Sequence, residues 1–327
     1  MNPASAERVL TLTMNPTIDM CWDVPRLADM GKNRARVRSV SPGGGGINVA
    51  RGITRLGGAA TALHTSGREL GRRLDRLLDE EGIDHVPIPI GGETREALVL
   101  LETETRRSHH IVPPGPRLDE AESRRCLDTL AGALSAERYV VASGSLPGGL
   151  SEDFYGAVAR RVKDAGARLV LDTSGPAMRQ GLAEGVFLFR CSRKEASYLL
   201  GREVRTFDDA RAVNTQLLSA GSADITVTTI GELGALCSTR EGHTEMRVPP
   251  LPAAPLSDAG AGDSMVAAIV TRMAAGDDPV RACALGVAVA AASVLTPGTQ
   301  PFDMAVAESL LPDVSLTFHS DRRPRGI

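Results

Sequence analysis

Apolar positions along the chain follow two rhythms that take turns. Short apolar runs such as "RVLTLT" at 8–13 and "RYVVA" at 138–142 are bounded by turn-forming residues, whereas "INVARGITRL" at 47–56 repeats its apolar positions every three or four residues. The short runs predict strands over Arg8–Thr13, Ala60–Thr65, Arg138–Ala142, Arg168–Leu171 and Asp224–Thr229. The longer periodic stretches predict helices over Ile47–Leu56, Leu70–Glu81, Glu152–Ala165 and Asp208–Ala220. Strand and helix alternate, with no internal repeat at solenoid spacing. That order predicts an α/β fold, a mostly parallel sheet covered by helices on both faces.

Two stretches break the alternation. Residues 19–42 and 94–113 carry strand-like patches, "RVRSV" at 36–40 and "ALVLLETETRRSHHIV" at 97–112, with no helix between them. The second reads as a hairpin turning near Glu104–Arg107. Together they predict a small β-sheet standing off the main body, serving as a lid, a subunit interface or both. The expected layout is one domain over 1–311 followed by a polar, frayed tail over 312–327 that ends "SDRRPRGI".

Composition narrows the function classes. The 327 residues carry a net charge of −3, which offers no attraction to nucleic acid or an anionic membrane. Aromatics are 3%, too few for base-stacking platforms. The longest apolar run, Ala282–Leu295, is too short and too alanine-rich to span a bilayer. The start "MNPASAERVL" has neither the basic residues nor the apolar core of a signal peptide. Five scattered cysteines without metal spacing read as reduced thiols of a cytoplasmic protein.

Four glycine- or turn-rich stretches carry the chemistry. In "LSDAGAGDSM" at 256–265, Gly260-Ala261-Gly262 precedes a helical apolar run. Glycine there lets an anion approach the unpaired N–H groups of a helix start. Asp263 beside that anion makes sense if it takes a proton from a hydroxyl attacking phosphorus; the plainer alternative is a glycine turn with a capping Asp. In "SPGGGGINVARGITRLGG" at 41–58, four glycines enter a helix, matching neither the dinucleotide fingerprint nor the P-loop. The run is either flexible punctuation or a backbone approach to a polyhydroxyl ligand read by Asn48. "TLTMNPTID" ends a strand and reaches Asp19, and "VVASGSLPGG" at 140–149 ends another, both where α/β sheets gather ligands. Asp19 is there either a reader of sugar hydroxyls or a turn-forming Asp.

Taken as a set, these stretches resemble the ribokinase-like carbohydrate kinases of the PfkB family. "GGGGINVARGITRLGG" looks like one family signature and "DAGAGDSMVAA" like the other, with "TIGELGAL" in order between them, so that the resemblance spans about residues 8–310. It implies a ribokinase-like α/β fold and ATP-dependent phosphorylation of a sugar. Within the family the nearest likeness is the branch acting on ketohexose phosphates, and the run of four glycines leans toward its 6-phosphofructokinases, with fructose 6-phosphate as the expected substrate and 1-phosphofructokinase or tagatose-6-phosphate kinase activity as alternatives.

The resemblance implies Asp263 as base and Gly260, Ala261 and Gly262 as the anion hole. It implies a sugar site of Asp19, Gly44, Gly45, Asn48 and Ser145, with Lys32 and Arg95 holding the substrate phosphate. Arg190, Ser192, Thr229, Gly231 and Gly234 fall at nucleotide positions, and Glu195 acts on Mg²⁺ through water. A homodimer formed through the lid is also implied, and the charge of Asp258 is balanced by Mg²⁺, by a monovalent cation or by Arg190. Two departures stand out. Relatives carry Lys-Pro-Asn-x-x-Glu where this chain has "RCSRKE" at 190–195, and Asp258 stands where relatives often have Thr. They keep a sensor of sugar phosphates without catalysis as the rival of a different class; a nucleoside kinase would not need Lys32 and Arg95.

Overall fold

The structure is a computed structural model that describes residues 8–135 and 138–320. Among these residues the strands are β1 (Val9–Thr13), β2 (Thr17–Val24), β3 (Arg36–Gly43), β4 (Ala60–Gly67), β5 (His85–Ile90), β6 (Arg95–Glu102), β7 (Ser108–Ile111), β8 (Tyr139–Ser143), β9 (Arg168–Asp172), β10 (Val186–Ser192), β11 (Ala223–Thr229), β12 (Ala235–Thr239), β13 (Gly242–Arg247) and β14 (Ser315–Ser320). The helices are α1 (Gly45–Arg55), α2 (Arg68–Glu80), α3 (Glu120–Ala133), α4 (Phe154–Asp164), α5 (Gly175–Ala183), α6 (Arg193–Leu200), α7 (Phe207–Ser219), α8 (Ala261–Ala274), α9 (Pro279–Ser293) and α10 (Met304–Leu310).

Ten strands form the main sheet in the order β14-β13-β12-β11-β10-β9-β8-β1-β4-β5. The seven from β11 to β5 run parallel, and β12 to β14 add an antiparallel margin. Side chains alternate across the pleat. In β8, Tyr139 and Val141 face the core beneath α1, α2, α8, α9 and α10, while Val140 and Ala142 face the core beneath α3 to α7. Both faces are thus covered, as the strand and helix alternation predicts.

The two inserts meet as a second sheet, β3-β2-β6-β7. β2 pairs with β3 antiparallel, β6 with β7 antiparallel, and β2 with β6 parallel, so two hairpins distant in sequence share one small sheet. The turn between β6 and β7 lies at 103–107, where the sequence places it.

The C-terminal expectation needs correction. Residues 315–320 form β14, paired along its whole length with β13 from Gly242↔Ser320 to Arg247↔Ser315. An edge strand exposed on both faces has no burial pattern to read, which is why it looks like tail. The rest of the expected tail, 321–327, lies outside the described residues. Among the described residues no helix is long and apolar enough to cross a membrane.

Candidate active site

Parallel strands deliver their carboxyl ends to one side of the sheet. Ser143 ends β8, Asp172 ends β9, Ser192 ends β10 and Thr229 ends β11. The first turns of α1 and α8 close over these ends. The result is a cavity of about 300 Å³ lined by Gly45, Ser143, Ser145, Asp172, Arg190, Glu195, Gly260, Gly262 and Asp263, among others. A larger hollow of about 660 Å³ between α1, α8, α9 and α10 has a mainly apolar lining and no such group of carboxylates.

Asp263 is the third residue of α8, whose start is set by Gly260 in the left-handed region at φ 75°. The Ala261 N–H reaches the Asp258 carbonyl over 3.3 Å, and the helical ladder begins with Ser264 donating to Gly260 at 2.9 Å. The carboxylate is held at both oxygens. Asn48 Nδ2 donates to Oδ2 at 2.9 Å, and Ser143 Oγ donates to Oδ1 at 3.1 Å. Burial, reinforced by the charge of Asp172, lifts its pKa to about 7, against the opposing pull of Asn48, Arg190 and Ser143. A carboxylate poised near neutrality is suited to accept a proton.

Arg190 lies across the same turn. Its Nη1 is 3.3 Å from Asp172 Oδ2, and its Nη2 donates to Thr229 Oγ1 at 2.9 Å. A Cβ at Gly262 would run into this guanidinium, so glycine is what lets a buried cation rest on the first turn of α8. Asp172 is buried with it; burial raises its pKa and the Arg190 charge opposes the rise. Arg190 therefore balances Asp172, whereas Asp258 is exposed on the approach to α8.

The glycine run of 43–46 enters α1 under equally close contact. A Cβ at Gly43 would strike the Asp19 carboxylate, and one at Gly45 would strike Ser143. Asp19 Oδ2 accepts from Thr299 Oγ1 at 2.7 Å, and burial raises its pKa against the charges of Arg51 and Arg95. Arg51 is fixed in turn by a two-pronged pair with Glu81, at 2.6 and 2.7 Å, and by donation to the Thr299 carbonyl at 3.1 Å. Asp19 thus packs against one end of this glycine corner and Ser143 against the other.

The family model for pfkB carbohydrate kinases matches residues 12–305. The chain belongs to the pfkB family of carbohydrate kinases. It is similar to the ATP-dependent 6-phosphofructokinase isozyme 2 of Mycobacterium tuberculosis H37Rv, at 40% identity over 292 residues, 89% of this chain and 85% of the relative. It is 29% identical to the 1-phosphofructokinase of Bacillus subtilis 168 over 311 residues, 94% of this chain and 99% of the relative. The Escherichia coli phosphofructokinase-2 structure in complex with potassium superimposes with a TM-score of 0.88 at 31% identity, covering 94% of this chain and 99% of that one.

For a pfkB kinase the remaining expected positions divide. Arg95 opens β6 and donates to the Pro113 carbonyl at 3.0 Å and the Asn15 carbonyl at 2.9 Å, while its Nε is buried without a partner. Lys32 is not gathered with it; it lies exposed on the loop between β2 and β3. Ser145 lines the cavity and accepts from Asn15 Nδ2 at 3.3 Å. Ser192 and Glu195 form a reciprocal capping box at the start of α6: Glu195 Oε2 accepts from the Ser192 N–H and Oγ, both at 2.7 Å. Gly231 and Gly234 shape the turn after β11, where Ile230 N–H donates to the Gly234 carbonyl at 2.8 Å and a Cβ on Gly234 would strike the Met246 carbonyl.

Sequence reasoning missed Ser143, Asp172, Arg51 and Thr299. The rule that strand ends face the ligand would have found Asp172, since β9 runs one residue beyond the predicted Arg168–Leu171. Thr299 and Arg51 carry no local signal; their meaning lies in contacts across 280 and 248 positions.

Proposed function

We propose that this kinase transfers the γ-phosphoryl group of ATP to the primary hydroxyl of a ketohexose phosphate, with fructose 6-phosphate as the preferred acceptor and fructose 1,6-bisphosphate as product. The observation that carries the reading is the Asp263 carboxylate, lifted to about pKa 7 and pinned by Asn48 and Ser143 at the glycine-led start of α8. A sensor would need no base so held.

In this reading Asp19 and the glycine corner receive the sugar hydroxyls. Arg95, with an unpaired buried Nε, supplies a forked cation for the sugar's phosphate, joined by Lys32 when the lid closes. The acceptor hydroxyl gives its proton to Asp263 as its oxygen attacks the γ-phosphorus in line. Arg190 and the N–H groups of Gly260, Ala261 and Gly262 take up charge on the transferring oxygens. Thr229, Gly231 and Gly234 border the nucleotide. Ser145 lines the floor between the two substrates.

The donor set fits a hard divalent cation, because the carboxylates of Asp172 and Glu195 both line the cavity. They would hold Mg²⁺ through water, and the ion would neutralise the phosphate oxygens. The E. coli potassium complex supports a monovalent cation as a second cofactor. Exposed Val37 and Ile111 on the lid strands support pairing of two copies through that sheet, although E. coli phosphofructokinase-2 also has a tetrameric inhibited form. Five free buried cysteines support work in the reducing cytoplasm.

A coupled assay with ATP and Mg²⁺ against fructose 6-phosphate, fructose 1-phosphate and tagatose 6-phosphate tests the assignment. The expected order puts fructose 6-phosphate first in kcat/KM and tagatose 6-phosphate below it. A preference for fructose 1-phosphate would reassign the acceptor, and no transfer to any of the three would overturn the reading.

A further inference from the structure

At the edge of the main sheet, where β4 pairs with β5, two histidines and an aspartate face one another. His64 comes from β4 and is wholly buried; His85 opens β5; Asp75 projects from α2, which packs on both strands. One donor atom from each lies within 4.8 Å of the others. His64 Nε2 is 3.0 Å from His85 Nδ1 and 3.7 Å from Asp75 Oδ1. None of these residues takes part in the proposed phosphoryl transfer.

The proton count at this cluster does not close. His64 Nδ1 lies 3.1 Å from the Thr65 carbonyl, which only accepts, so a neutral His64 carries its proton there and leaves Nε2 bare. His85 Nε2 lies 3.2 Å from the Asp79 carboxylate, which also only accepts, so a neutral His85 leaves Nδ1 bare. Asp75 Oδ2 accepts from Ser66 Oγ at 2.9 Å, while Oδ1 is buried with no partner. Three lone-pair donors therefore converge with no hydrogen between them. Closing that gap takes either one added proton, on an imidazole or on the Asp75 carboxyl, or a metal ion among the three atoms.

We propose that His64, His85 and Asp75 form a binding site for a divalent transition-metal ion of the zinc class. Two imidazoles and one carboxylate are ligands of that class, with a fourth position left for water. Zinc–nitrogen bonds of about 2.0–2.1 Å in a tetrahedron set ligand atoms roughly 3.3 Å apart, and the observed 3.0 and 3.7 Å bracket that spacing. The outer contacts match as well. Each histidine gives its remote N–H to an oxygen, the Thr65 carbonyl or the Asp79 carboxylate, the support that orients metal-ligating imidazoles. Asp75 keeps 22% of its side-chain surface exposed, which leaves a way in from solvent. An ion here ties α2 and the edge strand β5 to β4.

The test uses the full chain after dialysis against a chelator. Titration with Zn²⁺ by calorimetry, with Co²⁺ by visible absorption and with Mg²⁺ as control is followed by thermal melts. One Zn²⁺ per chain, a tetrahedral Co²⁺ spectrum and a higher Tm with Zn²⁺ but not Mg²⁺ are expected. Asp75→Asn and His85→Ala should each weaken Zn²⁺ at least 10-fold, and Asp79→Asn, an exposed change that leaves every ligand in place, about 10-fold. The chelator-treated variants should melt near the chelator-treated parent. No Zn²⁺ bound by the parent chain, or the same affinity in the parent and Asp79→Asn and Asp75→Asn chains, would overturn the site. So would a parent chain in which the two rings titrate as one imidazole–imidazolium pair and Co²⁺ gives no tetrahedral spectrum.

Discussion

Asn48 and Asp263, 215 residues apart, meet in a 2.9 Å hydrogen bond that joins the first turn of α1 to the first turn of α8. The donor is an amide, so the bond favours the ionised carboxylate and restrains a pKa that burial drives upward. Removing it in Asn48→Ala should move the acid limb of the kcat/KM profile to higher pH and lower the rate at pH 7. A merely structural role for Asn48 would lower the rate at every pH and leave the limb in place.

Asp263 itself gives the sharpest test of the proposed mechanism. Asp263→Asn retains the shape but accepts no proton, so kcat should fall by about 10²–10⁴ with sugar-phosphate affinity largely kept. Steady-state kinetics with a separate binding measurement decide the matter, and near-normal turnover would remove Asp263 from the base role.

The same carboxylate has a cost to folding that can be measured. Its pKa is about 7 in the folded chain and near 3.8 when unfolded, so the folded state holds the extra proton between those values. Stability therefore falls as pH rises from about 4 to 7. Asp263→Asn should melt above the parent at pH 8 and lose that advantage toward pH 4. Parallel melting curves at both pH values would show that the parent pays no such penalty.

Arg95 is expected to act on one substrate only. Arg95→Ala removes a charge-assisted contact worth about 1.5–3 kcal/mol, so KM for the sugar phosphate should rise roughly 10- to 150-fold while KM for ATP holds. Equal rises in both would place Arg95 in general scaffolding.

Glu195 separates a capping role from a metal role. Glu195→Gln preserves the capping box with Ser192, because glutamine serves in that position as well as glutamate. Tm should stay near the parent value while the Mg²⁺ concentration for half-maximal rate rises several-fold. Ser192→Asn, restoring the commoner family residue, should leave that requirement unchanged or lower it. An unchanged Mg²⁺ profile in Glu195→Gln would move the metal to other groups.

Much of the fold is local in origin, and those parts were legible. The alternation of short apolar runs with periodic stretches needs only neighbouring residues, and β1, α1, β4 and α2 all begin or end within two residues of their predicted bounds. The glycine stretches were legible for the same reason: a left-handed turn at Gly260 and tight packing at Gly43 are demands on single positions that other residues fail. What the tertiary structure alone decided is which strand ends become neighbours. The order β9-β8-β1 sets Asp172, Ser143 and the glycine corner side by side, and burial there, rather than residue type, lifts Asp263 toward neutrality. Arg190 reads as a nucleotide contact in sequence, and only the fold makes it the counter-charge of Asp172 resting on Gly262. β14 was illegible because an edge strand is held by backbone hydrogen bonds to β13, which leave no mark on side-chain pattern.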